Sequence, residues 1–473
     1  MAEVPAPTPE LTRDFTPASN ADWRALVDKT LGETPFQSLE KTTVEGLAIA
    51  PLYGPAETPQ APQRIVPADR AWTVATLTSH PDAARANAEI LADLRGGAAA
   101  AIVRVDPSAE AGVALGSAEH MARVLDGVIL EFAPVALDAN FLGPHAADWL
   151  GAVAKSAPTA QLRFHLDPIS AYAQAGQSPG PMEAHLILAA NTGARLAQTY
   201  PLAQLFLASG RVVHEAGGGE AAEIAHAAAS ALAYAKALVR AGMSMAAAFD
   251  RISLGLSADA DYFVTIAKLR AARSVWARIA GACGAGTTAR IEARSSQRML
   301  TAKDAWTNMI RLTAAGFGAA VGGADTIVLG NFTDALGLPT EFARRQSRNA
   351  QLVLMEEAQI GRVADPAAGS GYIEALTAEI ALAAWSGFQA IEAAGGVLAA
   401  LQSGLVATGV ECAVGARPDP KIIGVTAFPP DKDASVEVEV AAARPTPAPG
   451  ARLPGPDSKC PPLRPVRISE PFE

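Results

Sequence analysis

Eight short apolar runs recur along this chain, each followed by a longer helical pattern, and that rhythm constrains the fold more than any other feature. The runs are WTVATLTS (72–79), AAAAIVRVD (98–106), GVILEFAP (127–134), QLRFHLDP (161–168), AQLFLASG (203–210), RISLGLS (251–257), ARIEARS (289–295) and DTIVLGN (325–331). Segments such as DAARANAEILADLRG and AAEIAHAAASALAYAKALVRAG lie between them, the second stopping at Gly242. Strands joined through helices are parallel, and eight such units predict a (β/α)8 TIM barrel. An open doubly wound sheet is the rival architecture.

Flanking segments complete the expected organisation. Residues 1–60 read as an N-terminal arm that clasps a partner, with Asn20 capping a helix through ADWRALVDKTL. Residues 61–430 hold the barrel and a C-terminal helical extension, in which positions 373, 376, 380, 384 and 388 line one helix face. Thr301 with Asp304 reads as a capping box opening KDAWTNMIRLTAAGFGAA, and KIIGVTAF (421–428) as one further strand. Residues 431–473 are a Pro-rich tail, nine of the 27 residues from 445 to 471 being proline.

Composition narrows the partners. Half of the 473 residues are apolar, 18% are charged and the formal net charge is −10. That balance argues against a nucleic-acid partner or an anionic membrane surface. No basic leader followed by an apolar stretch opens the chain, and no apolar run is long enough to span a membrane. Three scattered cysteines, Cys283, Cys412 and Cys460, fit a reducing compartment, so the expected location is cytoplasmic.

The usual signatures of chemistry are missing. GACGAG (281–286) and GFGAAVGG (316–323) sit at helix ends without the glycine spacing of a nucleotide loop. The seven histidines show no metal-ligand spacing, and no GxSxG elbow occurs. Asp106-Pro107 and Asp167-Pro168, at two strand ends, read as turn chemistry. The remaining candidates are His214 and Glu215, side by side in SGRVVHEAGGGE at the end of the fifth run.

The stretch LGLPTEFARRQSRNAQLVLMEEAQIGRVADPAAGSGYIEALTAEIALAAWSGFQAIEAAGG is distinctive. With HEAGG, YFVTIAKLRAARSVWARI, ADWRALVDKTL and GLAIAPLY, it closely resembles the methylmalonyl-CoA mutase family. The resemblance implies a β/α barrel, acyl-CoA chemistry and a cobalamin-binding domain. Catalytic chains of that family carry Tyr-His-x-x-Glu-Ala-Gly where this one reads Arg211-Val212-Val213-His214-Glu215-Ala216-Gly217. The catalytic histidine position is therefore Val212, and His214 is displaced by two residues. By the same comparison a family tyrosine becomes Leu77, a glutamine becomes Asp325 and a further histidine becomes Val328. No Asp-x-His-x-x-Gly cobalamin motif is present.

The resemblance thus implies a small, non-catalytic subunit without catalytic, cofactor-binding or metal-binding residues. It would support a large catalytic subunit that holds adenosylcobalamin and interconverts methylmalonyl-CoA and succinyl-CoA. Two alternatives stand beside it. One is a catalytic barrel whose cobalamin domain is a separate chain; the other is a protein that senses acyl-CoA. Phe132, Phe164 and Phe206 lie near strand ends, and a barrel axis closed by such bulky side chains is expected.

Overall fold

The computed structural model describes residues 18–56, 70–447 and 458–473. It divides into two units, Met1–Tyr53 and Gly54–Glu473. The first holds the helix Asn20–Leu31 and a small hairpin pairing Lys41–Thr42 with Ala48–Ile49. Ser19 caps that helix, one residue before the expected Asn20, through a reciprocal capping box with Asp22. None of the described residues 18–53 is buried.

The second unit is a closed barrel of eight parallel strands. They are β1 (Thr73–Thr78), β2 (Ala100–Arg104), β3 (Val135–Asp138), β4 (Arg163–Leu166), β5 (Gln204–Ser209), β6 (Ile252–Ala258), β7 (Ile291–Ser295) and β8 (Thr326–Val328). β8 closes the ring on β1, with Thr326 opposite Thr73 and Val328 opposite Ala75. Among the described residues no helix is long and apolar enough to cross a membrane.

Seven of the eight apolar runs carry strands at the expected places. The third does not. GVILEFAP forms turns in which Ile129 and Phe132 are exposed, and β3 begins one residue after Pro134. The Pro134 carbonyl accepts from the Ala101 amide, so a residue with no amide hydrogen to give sits at the strand's start. KIIGVTAF is not a strand either. It turns on Gly424, whose φ is 82°, with the Ile422 carbonyl accepting from the amides of Val425, Thr426 and Ala427. Thr301 and Asp304 form no capping box. Asp304 takes a left-handed conformation (φ 48°), the helix starts at Asn308, and the Asn308 side chain accepts from the Thr301 amide at 3.0 Å.

The helical extension follows its sequence pattern. Helix Gly371–Ala393 buries Ile373, Leu376, Ile380, Ala384 and Phe388 and packs on helices Glu220–Arg240 and Tyr262–Ala282. Apolar spacing at three and four residues makes one continuous stripe, and the stripe finds a helical surface. The motifs that carry the family resemblance hold helices together through buried ion pairs. Asp365 and Glu374 of DPAAGSGYIEALT bind the buried Arg270 at 2.9 and 2.8 Å. Arg344 and Arg348 of ARRQSRNAQ pair with the buried Asp93, and Arg344 also meets Glu89 at 3.2 Å. Paired guanidiniums of this kind are costly to orphan once buried.

The barrel axis is not filled by aromatics. Phe206 stacks on Tyr234 of helix Glu220–Arg240 at 4.4 Å, and Phe164 meets Tyr200 edge-on at 6.4 Å, so both face the surrounding helices. Phe132 is exposed. One patch of the interior packs Ala75, Ala100, Ile102, Ala136 and Val328 with Leu77. The rest is polar. Arg163 donates to Thr326 Oγ1 at 2.8 Å, and charged side chains occupy the levels above.

Candidate functional site

In a β/α barrel the loops after the strands form the mouth where ligands are handled. Two adjoining cavities open there, of about 350 and 260 Å³. They share Arg104, Ala111, Arg211, Arg294 and Gln297 as a common wall. Leu77 and Val328 line the first cavity and Val212 lines the second. Asp325 lies elsewhere. It stands just before β8, at the opposite end of the barrel, where its carboxylate accepts from Arg273 at 2.8 Å and from the Ile291 amide at 2.7 Å. The four positions singled out from the sequence thus fall into one group of three and one outlier.

A connected set of ion pairs fills the space beneath the mouth. Arg104 Nε reaches Asp138 at 3.3 Å, and Arg294 reaches the same carboxylate oxygen from across the barrel at 3.1 Å. Arg294 Nε also donates to Glu292 at 2.7 Å, and His165 Nε2 lies 3.7 Å from Glu292. Burial alone would raise the Asp138 carboxyl, but Arg104, Arg294 and Arg211 outweigh it and hold it well below the carboxylate range. Glu292 behaves alike: burial opposes its charge, and Arg294 with His165 brings it down to about 2. His165 is pushed down to about 4, chiefly by burial, with Glu292 opposing, so it is neutral. Its backbone is in the left-handed region (φ 44°) at a break in register between β4 and β5, a local irregularity that redirects a side chain.

His214 and Glu215 are buried in the short helix Arg211–Glu215 and do structural work. Glu215 accepts the amides of Gln297 and Arg298, each at 3.1 Å, tying this turn to the loop after β7. His214 sits among Glu223 (3.4 Å), Asp259 (3.4 Å) and Glu220 (3.7 Å), with Ser296 Oγ 2.9 Å from Nε2. Burial, Arg298 and Lys268 disfavour its charge, yet Glu223 and Glu220 prevail and lift it to about 9. His214, Glu220 and Glu223 converge closely enough to suggest a metal site. The Lys268 ammonium already lies between the two carboxylates, at 2.5 and 2.7 Å, and supplies the positive charge. Asp106 and Asp167 take the turn and cap roles expected of them, Asp106 accepting from the Ala111 amide and Asp167 from the Ser170 amide. Asp167 also lines the second cavity; burial raises its carboxyl to about 6 against a hydrogen bond from Tyr234.

The end of the chain forms a strap across this mouth. Cys460 donates to Gly176, Leu463 to Ala173, Val466 to Glu215 and Ile468 to Arg298, at 2.8–3.0 Å, thereby crossing the loops after β4, β5 and β7. Ser458, Cys460, Leu463 and Ser469 are buried, and Pro465 lines the second cavity. The composition of this segment suggested an extended tail. It is extended, but its non-proline residues supply the amide donors that dock it.

Arg104, Asp138, His165, Glu292 and Arg294 did not stand out in the sequence. The available signal was a charged residue inside an apolar run, as in IVRV, LRFH and IEAR.

Comparison with known proteins gives a consistent picture. Residues 54–445 match the family model described as methylmalonyl-CoA mutase. The chain is 35% identical to the methylmalonyl-CoA mutase small subunit of Streptomyces virginiae, over 94% of its own length and 76% of the relative's. It is 36% identical to the small subunit from Propionibacterium freudenreichii subsp. shermanii, over 84% of this chain and 65% of that one. Identity to the large subunit of Streptomyces virginiae is 27%, over 91% and 65%.

Proposed function

The chain belongs to the methylmalonyl-CoA mutase family, and on that premise we propose that it is the small subunit of a two-chain mutase, supporting a large catalytic subunit. The observation that carries this reading is the apolar character of the barrel mouth at Leu77, Val212 and Val328. Where catalytic chains of the family place a phenol and imidazoles, these three side chains neither donate nor accept a proton. His214 does not stand in for them, because its ring is enclosed by Glu220, Glu223, Asp259 and Ser296. The higher identity to small subunits than to a large one supports the same assignment.

The residues of this chain do not fit adenosylcobalamin. His165, which lines the second cavity, and His214 are both buried, and the strap lies over the loops after β4, β5 and β7. The cofactor and the isomerisation of methylmalonyl-CoA are therefore assigned to the large partner. A cytoplasmic location accords with three cysteines that form no disulfide.

The test is a mutase assay of the purified chain with added adenosylcobalamin and methylmalonyl-CoA, alone and with a large subunit. No turnover is expected from the chain alone, and turnover when the large subunit is present. Isomerisation by this chain alone would overturn the assignment.

A further inference from the structure

The wall between the two mouth cavities has more guanidinium donors than the protein uses. Arg104 contributes only Nε to Asp138, and its side chain is 31% exposed. Arg211 has one long contact, 3.4 Å to Glu215, whose carboxylate already holds two backbone amides, and Arg211 Nε is buried without a partner among the described residues. Arg294, by contrast, already donates from Nε to Glu292 and from Nη1 to Asp138. Asp138 thus faces three guanidiniums, of which two retain free hydrogen-bonding edges toward the cavities. Burial and the nearby Arg294 and Arg104 charges lower Arg211's affinity for its own proton, so like charges are crowded here without enough counter-charge. The first cavity adds an apolar side, formed by Leu77, Leu300, Val328 and Leu338.

We propose that the barrel mouth binds a short-chain aliphatic carboxylate, its head group held by Arg104 and Arg211 and its tail lying in the first cavity against Leu77 and Val328. A planar carboxylate accepts two parallel N–H bonds from a guanidinium, the geometry the Nη1/Nη2 end of Arg104 leaves open, and Arg211 adds positive charge and a further donor beside it. A free carboxylic acid of a few carbons matches a cavity of about 350 Å³ with one charged wall and one apolar wall. Inorganic phosphate shares the charge but has no tail for the apolar side. In the Arg211-Val212 pair, Arg211 supplies the head-group donor and Val212 contributes an apolar wall of the second cavity. This site is independent of whether the chain assembles with a large subunit.

Calorimetry on the full chain with butyrate, and separately with inorganic phosphate, tests the proposal. Butyrate should bind, and phosphate at least about tenfold more weakly. Arg104→Gln and Arg211→Gln should each weaken butyrate by about tenfold or more, as expected for loss of a charge-assisted hydrogen bond. A measurement on the unmodified chain guards against variants that fail to fold. Phenylglyoxal labelling, mapped by peptide mass spectrometry, should show butyrate protecting Arg104 and Arg211 but not the surface residue Arg195. The proposal is overturned by no heat with butyrate, by equal affinity for phosphate, by folded Gln variants that bind as well as the parent, or by labelling that butyrate leaves unchanged at both arginines.

Discussion

At the scale of single residues, a histidine beside a glutamate at a strand end looks like a catalytic pair, and what separates that reading from a structural one is what surrounds the ring. Around His214 stand Glu220, Glu223, Asp259, Lys268, Arg298 and Ser296. Its folded pKa of about 9 lies above the unfolded value near 6.5. The stabilisation is therefore fully present below about pH 6.5 and is lost as pH rises through about 9. Lys268 is pushed above its ordinary range, because Glu220 and Glu223 outweigh the burial that opposes its charge, so it does not titrate in that window. We expect the melting temperature to fall between about pH 7 and 9.5, and His214→Gln to melt lower at pH 7 but with a flatter pH profile. An unchanged slope in that variant would remove His214 as the cause. The ion network beneath the mouth was legible only in part. The charges in IVRV, LRFH and IEAR are visible as interruptions of apolar runs, but their partners are not. Arg294 and Asp138 are 156 residues apart and meet only because the barrel closes.

At the scale of elements, the strands were legible where an apolar run coincided with burial on both faces, and illegible where it did not. GVILEFAP holds five apolar residues against three in β3, yet it forms turns that expose Ile129 and Phe132, while VALD is buried at its first three residues and ends in the carboxylate that binds two arginines. Hydrophobicity locates strands only when the fold has somewhere to put them. The strap presents the converse problem. Proline richness announces an extended backbone, but docking depends on amides interspersed among the prolines and on loop carbonyls supplied by distant strands. Cys460 reports on it. Its thiol is buried, and burial raises its pKa, whereas Cys412 is exposed. Under native conditions iodoacetamide should label Cys412 at least about tenfold faster than Cys460, with Cys460 becoming reactive as mild denaturant lifts the strap. Equal native rates, followed by mass spectrometry, would mean the strap is not held.

At the scale of the whole molecule, the two units are built on different terms. Gly54–Glu473 encloses a barrel with its own core, an architecture legible in the alternation of eight apolar runs with helical segments. The N-terminal unit has no such support. An isolated helix of 12 residues is marginal in water, and so is a lone two-stranded hairpin. Yet residues 18–53 include both, with Trp23 and Phe36 in edge contact and Leu26 65% exposed. A segment that forms regular structure without burying a described residue is one that docking on a partner surface would stabilise. Obligate interfaces bury about 2,000–5,000 Å² in total, enough to order such an arm. We therefore expect deletion of residues 1–50 to weaken assembly with the large mutase subunit, measured by co-purification and size-exclusion chromatography. Because no described residue of 18–53 is buried, the deletion removes no described core residue, and the barrel's melting temperature should hold. Loss of assembly with melting preserved assigns the arm to the interface. A truncated chain that co-purifies as well as the full one would show that the contact is made elsewhere.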